Sequence, residues 1–273
     1  MKESWGIFGL KNSLDKLGHI MTTLLEEPLY QSTRHAWENI WDTANVEAEL
    51  ATMRYPRTQY ALNNYLPYLN KDDLILEAGS GLSAAVITLR TLGYRIMGLD
   101  YALNALQASR AYDDNLALMG GDVHALPLAD HSLGAYLSFG VLEHFPHGMT
   151  PALHEAYRVL KTGGVLVLTI PYPNVVWKLA QWRRAQQGQA RIDADFYEST
   201  HTRESLVAHC TGVGFDVVRT IPLSHDFTLW GAHRVFRGEG YYQTSPLADT
   251  LGGVLRVVAP WAFNFMTLVI ARK

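Results

Sequence analysis

Between Asp72 and Thr220 the sequence predicts an α/β architecture, a mostly parallel sheet with helices on both faces, and three observations predict it. Short apolar runs alternate there with helical patterns. The run Leu74-Ile75-Leu76 ends in Glu77-Ala78-Gly79-Ser80-Gly81-Leu82-Ser83, an acid and two glycines where a helix can begin. A buried strand needs the apolar run, and a tight turn that brings backbone close to a ligand needs the glycines. A carboxylate at the strand end accepts hydrogen bonds from a cationic or hydroxyl-bearing ligand. Finally, Glu77, Asp100 and Asp122 end three successive expected strands, and the carboxyl ends of strands are where open α/β sheets bind ligands.

With 273 residues, 48% hydrophobic and 18% charged, the chain can bury a full core as one large domain with elaborations. A net charge of -3 supplies no general field for nucleic acid or an anionic membrane. The lone Cys210 excludes an internal disulfide and a cysteine-rich metal knot, fits a reducing compartment and reads as core filler. Met1-Lys2-Glu3-Ser4-Trp5 lacks the basic region and apolar run of a secretory signal, so the expected compartment is the cytoplasm. The apolar segment Gly253 to Ala271 is broken by Arg256, Pro260 and Asn264. It reads as a closing strand, Phe265 to Ala271, rather than a membrane span.

The elements follow in order. Before Asp72 the chain is expected to be helical, with Leu14, Leu17, Met21 and Leu24 at helical spacing and Pro56 as a breaker. Strands are expected near Leu74 to Ala78, Tyr94 to Leu99, Leu116 to Gly120, Gly134 to Phe139, Val165 to Ile170 and Phe215 to Ile221. Thr150 reads as an N-cap followed by Pro151. Leu153, Tyr157 and Leu160 then form an i, i+4, i+7 stripe, and Gly163-Gly164 stops that helix. Thr202 caps a second helix ending at Gly214. All seven tryptophans (Trp5, Trp37, Trp41, Trp177, Trp182, Trp230 and Trp261) lie outside Asp72 to Pro171, so they belong to flanks and insertions that either anchor peripheral helices or build a substrate cap. The expected organisation is a helical cap over 1–71 and a core over 72–273 carrying an acceptor-pocket insertion at about 172–201.

Asp100 lies 19 residues beyond Gly81, near the spacing at which an acid meets a ribose hydroxyl. In Gly121-Asp122-Val123 the carboxylate can accept from an exocyclic amine while the valine packs on a base. Five ordered segments carry a fuller pattern: Glu77 to Gly81, Gly98-Leu99-Asp100-Tyr101, Gly121 to Leu128, Ser138-Phe139-Gly140-Val141-Leu142-Glu143-His144 and Arg158 to Gly164. Together they resemble class I S-adenosylmethionine-dependent methyltransferases. The resemblance covers about Asp72 to Ile221, closes with Val269 to Lys273, and implies a doubly wound, seven-stranded, mostly parallel sheet whose last strand is antiparallel.

It further implies S-adenosylmethionine as cofactor and S-adenosylhomocysteine as product. Glu77, Gly79 and Gly81, with Ala78 and Ser80 between them, would surround the amino-acid portion. Asp100 would hold the ribose, with Tyr101 beside the adenine, Asp122 on its amine and Val123 on its face, and Phe139 and Gly140 would border the methyl group. Gly134 stands where the family often has an acid, one that is not usually a ligand.

A nicotinamide-dependent oxidoreductase is the competing enzyme, since Gly79, Gly81 and Ala84 satisfy G-x-G-x-x-G/A and Tyr157 with Lys161 makes Tyr-x-x-x-Lys. That tyrosine comes only 76 residues after Gly81 and falls on a core stripe, so Tyr157 reads as packing and Lys161 as a charge complementing a helix C-terminus. A non-catalytic cofactor-binding protein would not need intact acids at all three strand ends. Methyl transfer chiefly requires alignment, so a base is needed only if the acceptor must lose a proton. His144, after the fourth strand, is the first candidate and His201, before the Thr202 helix, the second. Pro146 and the lack of a third ligand argue against a metal between His144 and His147. The stretch Trp177-Lys178-Leu179-Ala180-Gln181-Trp182-Arg183-Arg184 suits a pocket for an apolar, aromatic or anionic small molecule, or a solvated helix with snorkelling arginines. Tyr55 or Arg57 is placed to meet the cofactor carboxylate as a lid closes. No nucleic-acid partner and no stable membrane insertion are expected.

Overall fold

The computed structural model describes residues 28–188 and 198–273. The expected helical spacing from Leu14 to Leu24 and the far end of the insertion lie outside these residues. Three helices come first: α1 (Pro28–Thr43), α2 (Val46–Thr52) and α3 (Pro56–Tyr65). Pro56 occupies the first turn of α3, where its missing N–H leaves no bond unmade, so it separates α2 from α3 while starting the latter.

Then β1 (Leu74–Ala78), α4 (Ala84–Thr91), β2 (Arg95–Asp100), α5 (Leu103–Tyr112), β3 (Leu118–Gly120) and β4 (Leu133–Phe139) build one half of the sheet. The other half uses α6 (Thr150–Val159), β5 (Leu160–Pro171), α7 (Val175–Gln186), α8 (Arg203–Val213), β6 (Asp216–Leu223), α9 (His225–Ala232), α10 (Pro246–Val258) and β7 (Met266–Arg272). The seven strands lie in the order β3-β2-β1-β4-β5-β7-β6. Those from β1 to β5 run parallel, and β7 is antiparallel to both neighbours, as expected. The chain leaves β1 in one direction and returns through β4 on the other side, so a crevice opens beyond the carboxyl ends of β1 and β4.

Alternation along the strands divides the core into two layers. Leu76, Leu99, Tyr136, Leu166 and Val269 face one side with Leu153 and Ala156 of α6 and Leu206 and Cys210 of α8. Ile75, Leu137, Val167 and Ile270 face the other with Val86 and Leu89 of α4 and Leu62 and Tyr65 of α3. Burial pushes the Cys210 thiol up to about 12, which leaves it an inert packing group.

Several expectations need correction at element ends. The Thr202 helix is as expected, with the Thr202 side chain accepting from the Ser205 N–H at 3.2 Å and Gly214 closing it at φ +115. In α6, by contrast, Thr150 is the first helical residue rather than the cap, and its hydroxyl faces His209 Nδ1 at 3.3 Å. The helix stops at Val159, before the glycines, because Leu160 already pairs with Leu133 as β5 begins. Lys161 is therefore a strand residue; its ammonium reaches Asp73 at 2.6 Å instead of a helix end. Asp73 also accounts for Gly134, since a Cβ there would lie 2.3 Å from the Asp73 Cβ. Tyr157 packs edge-on to Phe215 at 5.0 Å. No helix among the described residues is long and apolar enough to cross a membrane.

Candidate active site

The turn after β1 is built by backbone geometry that only small residues allow. Gly79 and Gly81 sit at φ +80 and +47, in the left-handed region. A Cβ at Gly79 would come within 2.4 Å of Val141 Cγ2, and one at Gly81 within 2.7 Å of the Trp41 ring. Asp100 ties this turn to the end of β2, its two oxygens accepting from the N–H groups of Gly81 and Ala102 at 2.8 Å each. Glu77 accepts from the Val86 N–H at 3.1 Å, in the first turn of α4, where a negative charge also meets the helix dipole.

These acids lie in an environment that disfavours their charge. Desolvation pushes Glu77 up to about 8, against the N–H of Val86 that lowers it. Asp100 is raised for the same reason, although backbone N–H groups oppose the shift. Glu49, on α2, is raised by burial and eased by a hydrogen bond from Tyr241. Three carboxyl groups held above their ordinary range around one space favour a cationic occupant.

That space is a cavity of about 340 Å³, within the range of small-molecule sites. Its wall joins Glu77, Gly79, Gly81, Asp100 and Tyr101 to the aromatic and apolar side chains of Trp37, Met53, Leu62, Tyr65, Phe145 and Met266. The N-terminal helices form the cover. Trp37 stacks on Trp41 at 5.4 Å and meets the His144 ring edge-on at 5.1 Å, while Arg34 lies over the Tyr101 ring at 5.2 Å. The cover is anchored to the far end of the chain. The Tyr55 hydroxyl donates to the Tyr241 carbonyl at 2.9 Å, and Arg57 donates to the Tyr242 carbonyl at 2.6 Å beside Asp226 at 3.7 Å. Tyr55 and Arg57 thus hold the cover down; although Arg57 reaches the wall, its guanidinium is engaged with these partners.

Of the residues singled out from the sequence, Glu77, Gly79, Ser80, Gly81, Asp100, Tyr101, Val123, Phe139, Gly140 and His144 all lie on the wall. Three do not. Ala78 is fully buried behind the turn. Asp122 turns its carboxylate to the Tyr30 hydroxyl and to His124, whose Nδ1 lies at 2.7 Å. Desolvation raises Asp122, but the hydrogen bonds from His124 and Tyr30 and the His124 charge outweigh it and hold the group low. His201 sits off the wall, its ring against Ser199 Oγ at 3.0 Å and edge-on to His209 at 5.4 Å. Burial and His209 both lower its pKa. The described part of the insertion, α7 included, adds nothing to the wall.

Glu49, Trp37, Trp41 and Tyr30 are wall residues that local sequence reasoning misses. The one available signal was the concentration of tryptophans outside the core. Glu143 is a further buried acid; Gly140 sits 3.5 Å from its Oε1, measured from an added Cβ, and the carboxyl is raised well above its ordinary range by burial.

Comparison with known proteins bears on the family and the fold. Residues 76–168 match the family model of a methyltransferase domain. A probable S-adenosylmethionine-dependent methyltransferase of Mycolicibacterium smegmatis is 31% identical over 97 residues, 36% of this chain and 37% of that protein. A malonyl-[acyl-carrier protein] O-methyltransferase of Yersinia pestis is 27% identical over 128 residues, 47% of each. The chain thus spans less than half the length of these two relatives. Among solved structures, a methyltransferase from Methanosarcina mazei superposes with a TM-score of 0.56 at 19% identity, covering 80% of this chain and 97% of that one. The putative methyltransferase bound to the Trm112 activator of Haloferax volcanii gives 0.59 at 17% identity, covering 88% and 95%. With the ordered motifs on a matching sheet, residues 76–168 belong to the class I S-adenosylmethionine-dependent methyltransferase family.

Proposed function

We propose that the protein transfers a methyl group from S-adenosylmethionine to a small apolar or aromatic acceptor held under the N-terminal helices. The observation that carries this reading is one cavity whose wall joins buried acids and a glycine turn to aromatic and apolar side chains. The residues fit the cofactor. Buried acids with raised pKa favour a sulfonium and an ammonium, and the glycine turn leaves room that any Cβ would take. When bound, S-adenosylmethionine supplies an electrophilic methyl group on sulfur and is released as S-adenosylhomocysteine.

The protein's part is binding, alignment and exclusion of water. Asp100 is held by the backbone N–H groups of Gly81 and Ala102, with that of Tyr101 beside them, and turns its remaining lone-pair capacity to the ribose hydroxyls. Glu77, with Gly79, Ser80 and Gly81 along the turn and Ala78 behind it, faces the amino-acid portion. Glu49 adds a third carboxyl group from the cover. Tyr101 and Val123 flank the base, and Asp122 orders the strand end through Tyr30 and His124. Phe139 and Gly140 border the transferred methyl. Trp37, Met53 and Tyr65 keep the acceptor dry. His144, on the wall beside Trp37, takes the proton of an acceptor that must lose one, whereas His201 acts at most from behind that wall.

Calorimetric titration tests the reading. S-adenosylhomocysteine should bind and NAD should not, and Asp100→Asn should weaken the former at least about tenfold, the scale of a lost charged hydrogen bond. Binding of NAD alone, or unchanged affinity in Asp100→Asn, would overturn it. His144→Ala should keep cofactor affinity and lose turnover; full turnover removes the base.

A further inference from the structure

We propose that α10 and α7 form a docking surface by which the protein lies on an anionic lipid bilayer. No residue of either helix lines the cavity, and the inference does not depend on the reading of that cavity.

The helix α10 is turned inside out. Its inward face is made of small residues, Ala248 and Gly252, and an added Cβ at Gly252 would come within 2.5 Å of the Asp226 backbone N. Its large apolar residues point away from the protein. Leu247, Leu251, Val254 and Val258 follow i, i+4, i+7, i+11 along one exposed stripe, and Val257 and Val258 are 79% and 69% exposed. An ordinary amphipathic helix buries such a stripe; here nothing in the described chain covers it.

A second exposed apolar element lies beside the first. No residue of α7 is buried, and Trp182 is 60% exposed, with Val175, Trp177 and Leu179 also open. The two helices meet through the turn that follows α10. The Val175 N–H donates to the Ala262 carbonyl at 3.0 Å and the Tyr172 N–H to the Phe265 carbonyl at 2.9 Å.

Charge identifies the occupant. Lys178, Arg183 and Arg184 stand on α7 with no acid among them, and α10 adds one acid, Asp249, and one cation, Arg256. The whole chain is nonetheless net acidic at -3, so three cations without an acid on one exposed helix run against the general charge. Aliphatic stripe, exposed tryptophans and a cationic rim are complementary to the boundary between acyl chains and anionic headgroups. A second copy fits less well, because a twofold contact across α7 would set its cations against their own counterparts. With 13 residues, α10 is about 20 Å long and too short to span a bilayer, so it lies in the interfacial plane.

Flotation of the full chain with vesicles tests this, using phosphatidylcholine alone and phosphatidylcholine with about a quarter phosphatidylglycerol. The protein should float with the anionic vesicles only, and less so as salt is raised. Val254→Glu with Val257→Glu should lower partitioning at least about tenfold. Lys178→Ala with Arg183→Ala should lower it by about thirtyfold, the effect of two interfacial charges. Unchanged S-adenosylhomocysteine affinity, or an unchanged circular dichroism spectrum, checks that the variants are folded. No flotation with anionic vesicles, equal flotation with neutral ones, or wild-type partitioning in both double variants would overturn the proposal. So would a dimer in sedimentation that Val254→Glu with Val257→Glu dissolves while the wild type ignores vesicles, which gives the face to a second copy.

Discussion

Glu77 is buried where its charge is least welcome, and the consequence for stability can be signed. Its pKa in the fold is about 8 against an ordinary 4.5, so the folded state favours the protonated form. That contribution is complete below the ordinary value and is lost as pH rises through about 8. The ligand-free protein should therefore lose melting temperature across this interval. Glu77→Gln should flatten that slope and raise the melting point at pH 8 by several degrees, roughly the effect of 1–2 kcal/mol in a domain of this size. The same variant should bind S-adenosylhomocysteine at least about tenfold more weakly. A parallel slope in wild type and variant, followed by scanning calorimetry, would assign the pH dependence to another group. Glu77 was legible because acid, glycines and strand end are contiguous. Glu49 was not, since it stands on a separate helix and only the docking of α2 over the turn brings it to the same cavity.

At the scale of elements, the strands could be read to within one or two residues because buried parallel strands are nearly continuous apolar runs. The junction of α6 and β5 could not. Its stripe runs on through Leu160, and what ends the helix is pairing with Leu133, a long-range contact with no local mark. Gly134 illustrates the same limit. Its smallness answers to Asp73, which occupies the space in front of it and pairs with Lys161. Gly134→Ala should destabilise the fold by about 1–3 kcal/mol through overpacking, measured as a lower urea midpoint with unchanged slope. Asp73→Ala should cost no more than about 1 kcal/mol, because the ion pair is partly exposed. A silent Gly134→Ala would mean that Asp73 moves aside at no expense.

At the scale of the whole molecule, the described beginning of the chain is tied to its last hundred residues. Arg57 and Asp226 are both nearly buried, at 11% side-chain exposure each, and burial lowers the one and raises the other while their mutual charge opposes both shifts. Removing one partner strands the other, so Arg57→Ala should cost about 3 kcal/mol, visible in thermal unfolding, and should loosen the cover enough to weaken cofactor binding. Arg57→Lys keeps the charge but loses the planar stacking on Phe227 at 4.8 Å, and should fall between. If Arg57→Ala melts with the wild type, the cover is held by its other contacts, the Tyr55 hydrogen bond among them. None of this tie was legible in the sequence, where Arg57 and Asp226 carry no shared motif.

The Tyr55 hydroxyl and the Tyr241 carbonyl it binds are 186 residues apart. During synthesis the first three described helices emerge early, and this one tie must wait for that distant carbonyl. At the usual pace of about 5–20 residues per second, the wait is on the order of ten seconds or more. Through that interval the cover lacks its tie to the last part of the chain, so it can be clasped only once six of the seven strands beneath it have been made.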